Sequence, residues 1–378
     1  MSQLRVDVAI VGAGPAGSSA AISLARRGAK VVLFDSKSFP HHKVCGEFLS
    51  PECRAYLDQL GVTPAILAAN PVSISTVKLT TPSGISWEST LPDTAWGLSR
   101  YSLDSILIDQ ARREGVEVCE STTVHSITGS LDDSFHLQIR ASGKESAIQS
   151  AVVIGAYGKR SNLDRALNRS FIHHDQPFVG LKAHFCGPVI SDRIELHTFP
   201  GGYGGISQIE GGRVNVGILV RQPVFQRAGS LESFITGIQN PYLKEWFSQA
   251  ELFTSQWYTI AQVPFEKKHP LVNDILMVGD AAGLIAPLAG DGISMALRSG
   301  QLAAHQIGAY LEGHLSPGSL RRAYVNQWKH AFRSRLRLGR LLQSVMLRPS
   351  LASPVLRLLN VIPPLGTFLI KQTREKTP

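Results

Sequence analysis

Residues 6–11 (VDVAIV) are largely apolar and β-branched, the pattern of a strand buried in a parallel sheet, and they run straight into a cluster of glycines. The sequence then predicts a small-residue helix over 18–27 and a second buried strand over 30–34, which stops at Asp35. A similar succession recurs downstream: an apolar run at 275–278, more glycines, and a helix predicted over 294–307. Between the two, 182–185 and 193–199 alternate with a period of two, as the strands of an antiparallel sheet do. After residue 316 the period lengthens. Trp328, Phe332, Leu336, Leu341 and Val345 share a stretch with Arg333, Arg335, Arg337 and Arg340, which predicts an amphipathic helix with a basic face. Residues 351–370 are apolar on average, but Arg357, Asn360, Pro363 and Pro364 interrupt them. They suit a helix packed on the body or lying on a membrane better than one crossing a bilayer.

The first glycine cluster is Gly12-Ala13-Gly14-Pro15-Ala16-Gly17. Gly12 permits a tight turn, Gly14 lets a pyrophosphate approach the backbone, and Gly17 lets the helix pack close to the strand. Asp35, followed by Ser36, stands where an acid can accept hydrogen bonds from a ribose hydroxyl. Strand, motif, helix, strand and acid in this order define a dinucleotide site, although FAD and NAD share the ADP half that such a unit holds. The downstream cluster separates them. Gly279-Asp280-Ala281-Ala282-Gly283 follows a strand, and Pro287 then precedes Gly290-Asp291-Gly292-Ile293 at the start of a helix. An acid directly after the strand can bond ribityl hydroxyls, and amides at the helix start can stabilise negative charge on a reduced isoalloxazine ring.

Composition changes the picture little. At 378 residues the chain has room for two lobes and a tail. Its net charge of +9 gathers toward the C-terminal helices, without the interleaved aromatic and basic pattern of a nucleic-acid reader. A solvated helix face and a face that meets anionic lipid both fit that charge. The cysteines Cys45, Cys53, Cys119 and Cys186 are scattered, with no metal-ligand spacing, and the N-terminus has no apolar leader. A reduced, cytoplasmic protein is expected, with peripheral membrane contact through the basic C-terminal helices as the variant.

GAGPAG at 12–17, GDAAG at 279–283 and the spaced proline and GDGI at 287–293 resemble the FAD-dependent oxidoreductase superfamily of p-hydroxybenzoate hydroxylase-type monooxygenases, geranylgeranyl reductases and flavin halogenases. The resemblance implies an α/β fold of the GR2 type. A Rossmann-like FAD-binding domain would be assembled from 1–70, 100–170 and 270–315, an inserted antiparallel β-sheet substrate domain from 71–99 and 171–269, and a helical region from 316–378. It implies FAD as cofactor, with NAD(P)H or a separate reductase as electron donor. Residues 43–51 (KVCGEFLSP) are similar to the loop that runs beside the flavin in geranylgeranyl reductases, which places Cys45 and Gly46 at the cofactor. Arg100 resembles the family arginine that opens a helix and reaches the cofactor, and Gly201–Gly205 with 215–218 resembles the sheet edge that walls the active site. Three departures stand out. Tyr157 replaces the acid of an Asp-Gly pair that hydroxylases use for FAD and NADPH, 204–208 (GGISQ) lacks the reductases' FPK segment, and the halogenase WxWxIP signature is missing.

No triad or metal site is required, because the flavin carries the difficult chemistry. Cys45 is read as a redox or proton-relay thiol, or else as a small buried hydrophobe. Tyr203 and His197 are the other catalytic candidates, and His184 is a further histidine on a substrate-sheet strand. His41, His42 and Lys43 form a basic cluster that meets either solvent or an anion. The leading expectation is a monooxygenase that hydroxylates a small lipophilic aromatic or polyketide-like molecule, free or carrier-bound, through a flavin hydroperoxide. The alternative is a reductase of C=C bonds in a prenyl or related lipid. A halogenase and a non-catalytic flavin-binding electron carrier complete the set.

Overall fold

The structure, a computed structural model, describes residues 4–174 and 177–374. The expectations that fall on 1–3 and 375–378, the extreme N-terminus and the end of the helical region, lie outside the described residues.

Two sheets divide the chain. In the first, β1 (Leu4–Val11) pairs in parallel with β2 (Val31–Phe34) on one side and with the long strand Lys144–Gly155 on the other; Glu117–Cys119 and Ile275–Met277 extend the sheet at either edge. Residues 8–11 of β1 and all of β2 are buried, as strands covered on both faces must be. Helix α1 (Pro15–Ala25) starts three residues before the predicted boundary, because a proline in the first turn loses only an N–H that would have no partner inside the helix. α1 packs against the helix Gly292–Leu311 so closely that a Cβ on Gly300 would stand 2.3 Å from the Ala16 carbonyl oxygen.

The second sheet is mostly antiparallel. Its path runs Glu251–Leu252, Phe178–Cys186, Val214–Arg221, Gly202–Gln208, Arg193–Phe199, Val72–Thr80, Ser86–Gly97 and Phe48–Leu49. The last strand matters for function. It follows the 43–47 loop directly, so that loop is pinned between the two sheets by the pairing of Phe48 with Gly97 and of Leu49 with Trp96.

The C-terminal region is a 30-residue helix, Pro317–Met346, followed by Pro349–Val361 and Pro363–Thr373, which bend by 114° at their junction. Tyr324, Trp328 and Phe332 seat the long helix on the dinucleotide lobe, and the Tyr324 hydroxyl donates to the Met277 carbonyl. The hairpin instead packs Leu356 and Leu359 with Ile74, Trp87 and Leu91 of the second sheet.

Candidate active site

A cavity of about 1140 Å³ runs from the carboxyl ends of β1 and β2 to the face of the second sheet and the C-terminal hairpin. Its first part is built by the glycine-rich turn. Gly12 has φ +109°, and a Cβ there would lie 2.4 Å from the Ala156 carbonyl oxygen, so only glycine fits. Gly17 sits behind the turn rather than on the cavity wall, its Cα against the Gly12 carbonyl, where an added Cβ would stand at 1.9 Å. Gly14, Pro15 and Ala16 line the cavity. Asp35 lies across from them and accepts from the N–H groups of Ala13 and Lys37, each at 3.0 Å; Ser36 adjoins it on the wall.

Two helices point their N-termini at this space. Among the described residues no side chain caps α1 or the helix Gly292–Leu311, whereas Ser99, Asn240 and Ser316 each cap theirs. The first-turn N–H groups at the cavity are therefore left for a ligand, and their partial positive charge favours an anion. At the second helix Gly290 takes a left-handed φ of +70° and a Cβ on Gly292 would meet nothing within 4 Å, so the backbone is bare at the wall. Gly279, Asp280, Pro287 and Ile293 surround this point.

The wall opposite is the 43–47 loop. Ser99 caps the helix Arg100–Arg113, and Arg100, its first residue, grips Asp104 through Nε at 2.6 Å and Nη2 at 2.7 Å. This holds the guanidinium 3.3 Å from where a Gly14 Cβ would be, and within hydrogen-bond reach of Cys45. Cys45 also receives the Glu47 N–H at 3.4 Å, and its side chain borders the cavity with Gly46.

Glu47, quoted above only as part of a segment, is the organising residue of this loop. It is fully buried with φ +54°, and its carboxylate accepts from Lys182 Nζ at 2.9 Å, His184 Nε2 at 2.6 Å and the Arg100 N–H at 2.9 Å. Burial pushes the carboxyl pKa up, but His184, Lys182 and the Arg100 amide outweigh it and hold the group below its ordinary range. A signal existed in the sequence. Lys182 and His184 share one face of an otherwise apolar strand, and two buried cationic groups require an acid from elsewhere. His42 rests between the rings of Tyr101 and Tyr258, and burial, then Lys182 and His184, push its pKa down to about 4.

Beyond the loop the cavity turns apolar. Val77, Leu79, Leu91 and Leu196 line it from the second sheet, and Met346, Leu359 and Leu369 from the C-terminal helices. Tyr203 is on this wall, its hydroxyl 3.3 Å from Gln343 Oε1, and burial pushes its pKa well above the ordinary tyrosine value, so it stays neutral. His197 is not on it. Strand alternation turns Leu196 to the cavity and His197 to the opposite face, where Nδ1 bonds Thr80 Oγ1 at 2.8 Å and Nε2 lies 3.3 Å from Glu195. The catalytic expectation for His197 is thereby corrected to a structural one. Tyr157 does border the cavity, and its hydroxyl accepts from Arg169 at 3.3 Å.

A glycine turn that only glycine can make, an acid beside it and a second helix start left bare, all on one cavity, fit an FAD-binding protein. The chain belongs to the FAD binding domain family, which matches residues 5–331, and it is an FAD-dependent oxidoreductase. It is 28% identical over 317 residues to menaquinone reductase of Mycolicibacterium smegmatis, covering 79% of this chain and 76% of that one. With digeranylgeranylglycerophospholipid reductase 1 of Methanopyrus kandleri it shares 26% over 355 residues, 89% of each chain. Among solved structures the flavin-dependent brominase Bmp2 superposes with a TM-score of 0.80 at 20% identity, over 98% of this chain and 93% of that one, which shows the shared fold.

Proposed function

We propose that this enzyme reduces a carbon–carbon double bond in a long apolar lipid of the isoprenoid type. The observation that carries the proposal is the arm of the cavity beyond the 43–47 loop, apolar on the sheet side and on the helix side alike. Among the described residues Arg374 is the charged one lining that end, and its Nη1 is turned to Asp291 at 2.7 Å. Such a channel suits an extended hydrocarbon chain, whose affinity comes from removing apolar surface from water. The relatives named for reducing menaquinone and digeranylgeranylglycerophospholipid support the same reading, since both names denote lipids. Hydroxylation of an aromatic, placed first on sequence, has no such support from the relatives' names.

FAD, when bound and reduced, supplies a hydride equivalent to one carbon of the double bond. The chain would hold the cofactor through the first turn of α1, Asp35, Arg100, Asp280 and the first turn of the helix Gly292–Leu311. Its own residues do the rest. The apolar walls exclude water and align the chain, and the second carbon needs a proton, for which the Cys45 thiol, on the loop that borders the cavity, is the candidate donor. Arg100 and the Glu47 amide fix that sulfur in place.

The test is product analysis. Under argon, with dithionite as reductant, the holoenzyme should convert a geranylgeranyl glycerolipid to a product heavier by two hydrogens per bond reduced. Leu196→Trp, which fills the arm, should lower this rate about tenfold or more for long chains while leaving the flavin spectrum unchanged. Unaltered long-chain turnover in that variant would remove the channel from the account.

A further inference from the structure

We infer that the C-terminal hairpin is a docking surface for an anionic lipid bilayer, laid in the plane of the interface. The hairpin has two apolar sides. One, with Leu356, Leu359 and Leu369, closes the cavity and packs on the second sheet. The other faces outward around the bend: Val361 is 78% exposed, Phe368 55%, Leu358 47% and Ile362 46%. Scattered exposed apolar residues need no explanation, but these four lie on one tip with Pro363 and Pro364, also exposed.

Charge selects the occupant. Residues 313–374 contain eleven arginines and lysines and no aspartate or glutamate, against a net charge of +9 for the whole chain, so the remainder carries a net negative charge. Arg348, Arg357 and Lys371 flank the tip and are exposed; Arg333, Arg337 and Arg340 are exposed along one stripe of the helix that leads to it. Among the described residues none of the six forms an ion pair. An apolar tip rimmed by uncompensated cations is what an interfacial helix presents to anionic lipid. A second copy of the chain fits poorly, because a two-fold contact would set this cationic rim against itself. Among the described residues no single helix is long and apolar enough to cross a bilayer: the arms have 13 and 11 residues with a 114° bend between them, against the about 20 continuous residues of a straight span, and the bend suits a hairpin lying in the interface. The docked hairpin would place the cavity's apolar arm one helix away from the acyl chains.

The inference does not depend on which reaction the flavin performs, and its test involves no turnover. The full-length holoenzyme is floated on a density gradient with vesicles of phosphatidylglycerol or of phosphatidylcholine at low and high salt. It should float with the phosphatidylglycerol vesicles, less so at high salt, and the double substitution Val361→Asp with Phe368→Asp should reduce the floating fraction about tenfold or more while flavin content and circular dichroism stay unchanged. Arg357→Glu with Lys371→Glu, which leaves every apolar residue in place, should weaken binding to phosphatidylglycerol in the same direction. Three results would overturn it: no flotation with either lipid at low salt, flotation of the Val361/Phe368 variant equal to wild type, or a concentration-dependent dimer that those substitutions abolish in a protein that ignores vesicles.

Discussion

Glu47 shows how a single buried charge sets the shape of the site. Its carboxylate is shut away from water and held by Lys182, His184 and the Arg100 amide, and the residue takes a left-handed backbone to reach them. Removing one partner of such a group leaves the others desolvated and unmatched, which costs about 3–5 kcal/mol. Glu47→Gln should therefore lower the unfolding free energy by about that amount, and adding Lys182→Met should recover part of it; chemical denaturation of the four proteins in the cycle measures both. Additive losses in the double variant would show that the pair is not coupled. Two residues away, Cys45→Ser should cut kcat by about 10²- to 10⁴-fold with flavin content intact if the thiol gives the proton. A change confined to KM would assign Cys45 to packing. Gly12→Ala forces both a strained φ and a 2.4 Å contact with Ala156, so the purified variant should emerge colourless or unfolded.

At the scale of elements, the helix Gly292–Leu311 is unusual in that Asp291, at its N-cap position, makes no cap with its side chain and bonds Arg374 instead. Burial raises the Asp291 pKa from its ordinary 3.8 to about 7, with Arg374 opposing and Glu52 adding to the rise. The folded protein thus binds this proton more tightly than the unfolded chain does. The resulting stabilisation is complete below about pH 4 and is lost as pH rises through about 7. Thermal midpoints of wild type should therefore fall relative to Asp291→Asn between pH 5 and pH 8; parallel profiles would show that Asp291 does not titrate in this window. The elements around it were legible in the sequence for a physical reason. β-branched runs bounded by glycines mark buried parallel strands whatever else surrounds them, and 6–11 and 275–278 fall on such strands to within two residues. The C-terminal hairpin was legible only as apolar helix broken by proline. Both of its faces are apolar, and periodicity cannot say which one meets the cavity.

For the whole molecule, the cofactor half of the site was readable because its residues sit in two contiguous motifs that each carry a backbone requirement. The substrate half was not. Leu79, Leu196, Met346 and Leu369 come from four distant elements, and their meeting depends on a sheet order that joins Val72–Thr80 in parallel to Arg193–Phe199. His197 illustrates the same limit, since a one-residue difference in strand phase decides between cavity and core. What the assembled molecule offers is a cavity that runs from the glycine-rich turn to an apolar arm closed by a hairpin with an apolar tip, and the proposed hydride delivery to a lipid rests on that arrangement. The most direct measurement is an anaerobic single turnover. The holoenzyme, reduced with one equivalent of dithionite, is mixed with an isoprenoid lipid that carries no quinone while the flavin absorbance is followed, and the lipid is then weighed by mass spectrometry. Flavin reoxidation without oxygen, matched by a lipid that has gained two hydrogens, is the expected result. A flavin that stays reduced with every such lipid until oxygen is admitted, followed by a product that has gained an oxygen atom, would contradict the account and return the enzyme to the monooxygenases.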